Sequence, residues 1–263
     1  MLKRTHTQFN STDDLEATFI GQTASDLDQN IYRYMQLAHF EQLISKRQNV
    51  LVNPILWADP FENYVLNANL TCADGSHYAS TSKPKIYAQC WTAKKASEAM
   101  WRIYSPPPYN QYIRIRTTPR KLLQCSTKAH TASSQDKFYF GKVKYVSDKA
   151  LLEFGNTVFA NGINSRAIAE TLCIKRRAFA HENERRLLYI THSATASPDL
   201  MPLKVSPLNL IDQVMIDPRL DRNQSLELKR HIIHKARFPG TVLRSLIYHK
   251  PKGLTFTVGA TVQ

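Results

Sequence analysis

Glycine is scarce. The 263 residues hold eight, and none belongs to the Gly-rich loops that cradle phosphates through bare backbone amides. The H-E-x-x-H spacing of zinc proteases and the G-x-S-x-G elbow of serine hydrolases are also missing. Four cysteines, Cys72, Cys90, Cys125 and Cys173, stand far apart with no C-x-x-C pair. That argues against a zinc knuckle or dithiol centre, assigns no metal ligands and fits a reducing cytosol. No apolar run approaches the roughly 20 residues needed to cross a bilayer, so no membrane partner is expected. The opening MLKRTHTQFNSTDD lacks the apolar core of an export signal. A cytoplasmic protein is the expectation.

Positive charge is abundant. Lys and Arg number 35 against 21 Asp and Glu, a net +14. Residues 1–30 carry five acids (Asp13, Asp14, Glu16, Asp26, Asp28) against Lys3 and Arg4, so the other 233 residues are at +17. Such a body suits a polyanionic partner, nucleic acid above all, although a solubilising charge excess reads the same way. Hydrophobic residues make up 43% of the chain, enough for a buried core.

Residues 1–29 are polar and read as an irregular or partly ordered N-terminal arm. Residues 30–263 read as one α+β domain with a mixed, mostly antiparallel sheet and flanking helices. NIYRYM predicts a strand, LAHFEQLISKRQ a helix through Leu37, Phe40, Leu43 and Ile44, and NVLVNP a strand stopped by Pro54. KIYAQCWTA predicts a strand and KASEAMWRIYS a helix, which the prolines of SPPPYNQ end. YIRIRTT alternates without a break, placing Ile113 and Ile115 on one face and Arg114 and Arg116 on an opposite, exposed or groove-lining face. FYFGKVKYVSD, RRLLYIT, PLNLIDQVMID and TVLRSLIYH predict further strands, and NQSLELKRHIIHKA a basic helix.

FAHENERRLLYIT holds the densest chemistry. If 181–187 is helical, Glu182 meets Arg185 and Arg186 as surface pairs worth a few tenths of a kcal/mol. If a strand begins near Glu182, then Glu182, Glu184 and Arg186 share one face. Two carboxylates and a guanidinium so placed suit glycosidic-bond cleavage, which passes through a cationic sugar. In NPILWADPFE, Asp59-Pro60 is a turn with Trp57 and Phe61 as anchors, or a substrate contact. In EAMWRIY, Trp101 and Tyr104 at helical spacing are core residues or a stacking platform.

Together, in this order, these segments resemble the bacterial family called domain of unknown function 2971. The resemblance covers about residues 31–248 through Tyr32-Arg33-Tyr34, Asp59-Pro60-Phe61-Glu62, Cys90-Trp91, Met100-Trp101 with Tyr104, the run from Phe179 through Glu182 and Glu184 to Arg186, and Val242 to Ser245. Ala58, Phe179 and Pro106 to Pro108 depart from the family pattern. More distantly, the early aromatic-Arg strand and the late E-x-E look like the plan of ADP-ribosyltransferases. That likeness implies NAD as substrate, Tyr32, Arg33, Trp101 and Tyr104 around it, Glu184 as the catalytic carboxylate and Glu182 orienting the acceptor. Asp59, Glu62, Arg114, Arg116 and Arg186 are the expected substrate contacts. The implied function is ADP-ribosyl transfer or NAD cleavage, with nucleic acid modified by a toxin or antiviral defence component under a neutralising or regulatory partner. A non-catalytic nucleic-acid-binding or protein-interaction module is the alternative. A nuclease holding Mg²⁺ on Asp59 and Glu62 is the third reading.

Overall fold

Alternating apolar and polar residues set the strands, and the computed structural model shows how they join. It describes residues 18–69, 71, 74–77, 84–128, 136–160, 162–193, 197, 199–251, 253–257 and 259. Among the described residues twelve strands form: β1 (Phe19–Ile20), β2 (Ile31–Gln36), β3 (Gln48–Val52), β4 (Lys85–Thr92), β5 (Tyr112–Thr117), β6 (Lys137–Lys142), β7 (Lys144–Val146), β8 (Ile174–Arg176), β9 (Glu184–Thr191), β10 (Leu200–Lys204), β11 (Gln213–Ile216) and β12 (Thr241–Arg244). Ten make one sheet along the path β1-β6-β9-β4-β2-β5-β11-β12, with β3 also on β4 and β10 on β3. Only β1–β6 and β11–β12 run parallel within it. β7 and β8 form a separate parallel ribbon. The fold is α+β with a mixed, mostly antiparallel sheet.

β4 explains where the sheet opens. Its full length pairs with β9 on one edge. On the other edge Ala88 pairs with Val52 of β3, and Thr92 pairs with Tyr32 of β2. The sheet therefore forks along Gln89–Trp91, with β3–β10 as one branch and β2–β5–β11–β12 as the other. Side chains bind the fork where the ladder stops. Gln89 Nε2 donates to Asn49 Oδ1 at 2.7 Å and to the Val50 carbonyl at 3.1 Å, and Trp91 Nε1 donates to Gln89 Oε1 at 2.9 Å. These groups are buried, so each needs such a partner.

The core lies under the β2–β5–β11 branch and around β9, all of whose residues are buried. β5 lies between β2 and β11, so both of its edges are paired, and both of its faces are buried as well over Ile113–Ile115. Ile113 and Ile115 are at most 1% exposed, and Arg114 is only 5% exposed. That corrects the expected open arginine face: Arg114 bonds the Lys95 carbonyl and lies 4.5 Å over the Tyr32 ring.

Residues 18–29 also depart from the expected arm. Phe19, Ile20 and Leu27 are buried, β1 extends the sheet, and Asp28 pairs with Arg120 at 2.8 Å. Asp13, Asp14 and Glu16 lie outside the described residues. FYFGKVKYVSD splits into β6 and β7, which enter different sheets. Gly141 on β6 permits close packing, because a Cβ there would stand 2.1 Å from Cys173 Sγ.

Candidate active site

A cleft of about 230 Å³ occupies the fork. It is lined by Tyr32, Arg33 and Tyr34 of β2, Val52 of β3, Ala88 to Thr92 of β4, and by Trp57, Tyr104, Glu182 and Glu184. Both carboxylates reach it through one turn. Residues Arg177–Glu182 form a 3₁₀ helix, Asn183 is left-handed at φ 44°, and Glu184 opens β9. Asparagine tolerates that conformation better than most residues. The strand thus starts two residues later than the sequence suggested. The turn, rather than strand periodicity, brings Glu182 beside Glu184.

Beneath the cleft lies a buried ionic cluster. Lys175 Nζ is 2.7 Å from Glu182 Oε2, 2.9 Å from Glu62 Oε1 and 3.5 Å from Glu184 Oε2. Arg186 is fully buried; Nη2 contacts Glu62 Oε2 and lies 2.8 Å from Glu184 Oε2, while Nη1 donates to the Leu172 carbonyl at 2.6 Å. The Trp57 ring covers the guanidinium at 4.3 Å. Three acidic side chains meet two basic ones here, a formal excess of one acid.

Burial pushes the Glu184 carboxyl up, but the charge and hydrogen bond of Arg186, with Lys175, outweigh it and hold the pKa below its ordinary value. Burial opposes the Lys175 charge, yet Glu184 and Glu62 raise its pKa. Both groups are charged at neutral pH. Burial, reinforced by Glu184, pushes the Cys90 thiol well up, so it faces the cleft protonated.

The aromatic wall is layered. Tyr104 Oη donates to Glu182 Oε1 at 2.9 Å, and its ring stacks with Tyr34 at 6.1 Å. Tyr34 meets Trp101 edge-on at 4.8 Å. Arg33 stands across the cleft, partly exposed. Among the described residues its guanidinium has no hydrogen-bond or ion-pair partner, and burial lowers its pKa to about 10. It remains protonated at neutral pH.

The structure brings together Tyr32, Arg33, Tyr104, Glu182 and Glu184 on the cleft surface. Trp101 does not reach it: the residue is 0% exposed and supports Tyr34 from behind. Glu62 and Arg186 belong to the cluster below and do not line the cleft. Asp59 pairs with Arg176 at 3.0 Å and caps the turn by accepting from the Phe61 amide. Arg114 is buried and Arg116 is partly buried in β5; neither lines the cleft. Asp59 and Glu62, the expected Mg²⁺ pair, are each bound to basic side chains. Among the described residues no group of three or more His, Cys, Asp or Glu could hold a metal.

Sequence reasoning missed Lys175 and Tyr145. Lys175 sits in the unpatterned run IKRR, whose three-residue strand has no periodicity to read. Its one available signal was that two neighbouring glutamates need a nearby cation if buried.

No family model matches the chain, so the resemblance to domain of unknown function 2971 finds no support there. No curated protein matches either. Solved structures give distant likenesses. Thermus sp. 2.9 DarT in complex with NAD⁺ is 8% identical, with a TM-score of 0.38 over 83% of this chain and 96% of that one. The same protein in complex with ADP-ribosylated ssDNA is 8% identical, with a TM-score of 0.39 over 83% and 94%. Its carba-NAD⁺ complex is 7% identical, with a TM-score of 0.35 over 82% and 95%. At these values the likeness carries no assignment, which rests on the residues of the site.

Proposed function

We propose that this chain is an ADP-ribosyltransferase that cleaves the nicotinamide–ribose bond of NAD and passes ADP-ribose to nucleic acid. The observation that carries this reading is the formal excess of acids, Glu62, Glu182 and Glu184 against Lys175 and Arg186, buried at the floor of an aromatic cleft. NAD offers a cationic nicotinamide riboside at one end and an anionic pyrophosphate next to it. The cluster suits the first and unpaired Arg33 the second. At about 230 Å³ the cleft is smaller than the roughly 300–1,000 Å³ of pockets that enclose a whole ligand. It admits the nicotinamide riboside end, against Tyr32 and Tyr104.

In the bond-breaking step the C1′–N bond opens and its electron pair leaves with nicotinamide, which becomes neutral. Positive charge moves onto the ribose. A fixed carboxylate stabilises that charge without reorganising, which lowers the barrier. Glu184 is placed for this role. The acceptor then attacks C1′ and gives up its proton, with Glu182 as the nearby base. Water in place of the acceptor yields NAD hydrolysis. The +17 body supports a nucleic-acid acceptor, and modification of nucleic acid suits a toxin or defence component kept in check by a neutralising partner.

Incubation with NAD alone, then with single-stranded DNA or RNA, tests the reading through nicotinamide release and the mass of the modified product. Release with a mass gain on the nucleic acid is expected; no nicotinamide release under either condition overturns it. A non-catalytic nucleic-acid-binding module is favoured by one separate observation, the exposed Lys229, Arg230 and Lys235. That reading predicts binding without nicotinamide release.

A further inference from the structure

We propose that the β7–β8 ribbon is a positioning device for the two cleft carboxylates, and that Lys175 is the residue that makes Glu184 the ligand-facing one. The inference rests on the NAD-cleaving reading and extends it to a residue that does not touch substrate.

The argument begins with register. Tyr145 of β7 is paired directly with Lys175 of β8, and side chains opposite each other on neighbouring strands project to the same side. Both reach the turn that carries the carboxylates. The Tyr145 hydroxyl accepts the Glu184 amide at 2.8 Å, which fixes the backbone at the start of β9. Lys175 bridges the carboxylates and lies 4.5 Å from the Phe179 ring on the segment leading to Glu182. The ribbon stands outside the ten-stranded sheet, so its contacts with the site do not follow from the ladder that forms the fork.

The contacts are unequal. Both oxygens of Glu182 are engaged, Oε1 by Tyr104 and Oε2 by Lys175. Both ion pairs of Glu184 fall on Oε2, from Arg186 and Lys175, which leaves Oε1 without an ion-pair partner on a residue that lines the cleft. Lys175 therefore anchors Glu182 and, together with Arg186, holds Glu184 by Oε2, so that a ligand meets the Glu184 carboxylate on the side where it accepts from the Cys90 thiol. An ammonium suits the task because its three donors can face three carboxylates at once. Glu62 is the third, at 2.9 Å. Without Lys175, Arg186 would still pair Glu62 and Glu184, but Glu182 would keep only the Tyr104 hydroxyl, with Tyr145 and the protonated Cys90 as the remaining neighbours. Like charges left so close favour protonation of one carboxylate.

The test uses Lys175→Met and Lys175→Arg in the full chain, with two readouts: titration of the glutamate carboxyls followed by ¹³C NMR, and the pH profile of nicotinamide release. Lys175→Met should raise a cluster carboxyl midpoint and the acid limb of the profile by about one to three pH units, the span expected for losing a cation at this range. It should lower kcat more than it raises KM for NAD. Lys175→Arg should restore the wild-type midpoint. If Lys175→Met does not fold, Glu62→Gln with Lys175→Met keeps the charge of the cluster unchanged, and lowered kcat with a wild-type KM in that double variant supports the same role. Wild-type titration and kcat in the Met variant, or in the double variant, overturn the proposal, as does an Arg variant as impaired as Met with an unmoved midpoint. Because carboxyl titration needs no turnover, a wild-type chain that releases no nicotinamide sinks the NAD reading while the shift still reports on how Lys175 holds the pair.

Discussion

Tyr104 donates its hydroxyl to Glu182 across 2.9 Å while its ring stacks with Tyr34, so one side chain joins the aromatic wall of the cleft to its acidic floor. The two functions are separable. Tyr104→Phe keeps the ring and removes the donor; it should lower kcat about tenfold, the size of one hydrogen bond to a charged group, with KM for NAD near wild type. Tyr104→Ala should raise KM as well. Steady-state nicotinamide release reads both, and equal KM values in Phe and Ala variants would remove the ring from the binding surface.

Glu184→Gln keeps shape and hydrogen-bonding reach but removes the charge. Activity should fall by about two to three orders of magnitude. The variant should fold, because two carboxylates then face two cations in the cluster. Arg186→Met does the opposite, leaving three buried carboxylates with Lys175 alone, and should cost about 3–5 kcal/mol. Denaturant unfolding beside the activity assay separates the two. A Glu184→Gln variant with wild-type turnover would end the catalytic assignment.

Acid should weaken the fold through the same cluster. The pKa of Glu184 is depressed in the folded state from the ordinary 4.5, so its contribution is fully present above about pH 4.5 and fades as pH falls toward the folded value. Lys175, shifted upward, retains its contribution at neutral pH and loses it only in strong alkali. Melting temperature measured against pH should therefore drop on acidification below about pH 4.5, and the gap between wild type and Glu184→Gln should narrow over that interval. A gap that stays constant would show that Glu184 is not held ionised by its partners.

Within β5, neighbouring positions should respond in different degrees. Ile115→Asp buries an unpaired charge in the core and should prevent folding. Arg116→Ala should alter stability little. Arg114→Ala should fall between them, since it removes a bond to the Lys95 carbonyl and the contact over Tyr32. Thermal melts of the three variants check the order, and equal effects at Ile115 and Arg116 would refute the placement of β5.

Much of this was written in local pattern. Ile31–Gln36, Tyr112–Thr117 and Glu184–Thr191 announced themselves as strands through β-branched and aromatic residues, and the helix Leu37–Lys46 through apolar spacing. Leu200–Lys204 escaped because Pro202 interrupts it; it pairs only with β3, an edge position that tolerates proline. Phe19–Ile20 and Ile174–Arg176 are too short to show a period. The acidic pair was legible too, as Glu182 and Glu184 two apart before an apolar run.

What the sequence determined by itself was most of the strands and helices, the basic body, Tyr104 on its helix and the Glu182–Glu184 pair, because each follows from spacing or composition within a few residues; Arg33 came only through the resemblance to ADP-ribosyltransferases. Tertiary structure decided which charges are free and which are spent. Arg114, Arg186 and Glu62 look alike on paper to Arg33 and Glu184, yet the first three are buried against partners, while Arg33 has no partner among the described residues and Glu184 lines the cleft beside the Cys90 thiol. That division depends on the fork in β4 and on Lys175 arriving from a ribbon outside the main sheet. Pairing between strands far apart in the chain fixes both, and local periodicity carries no record of it.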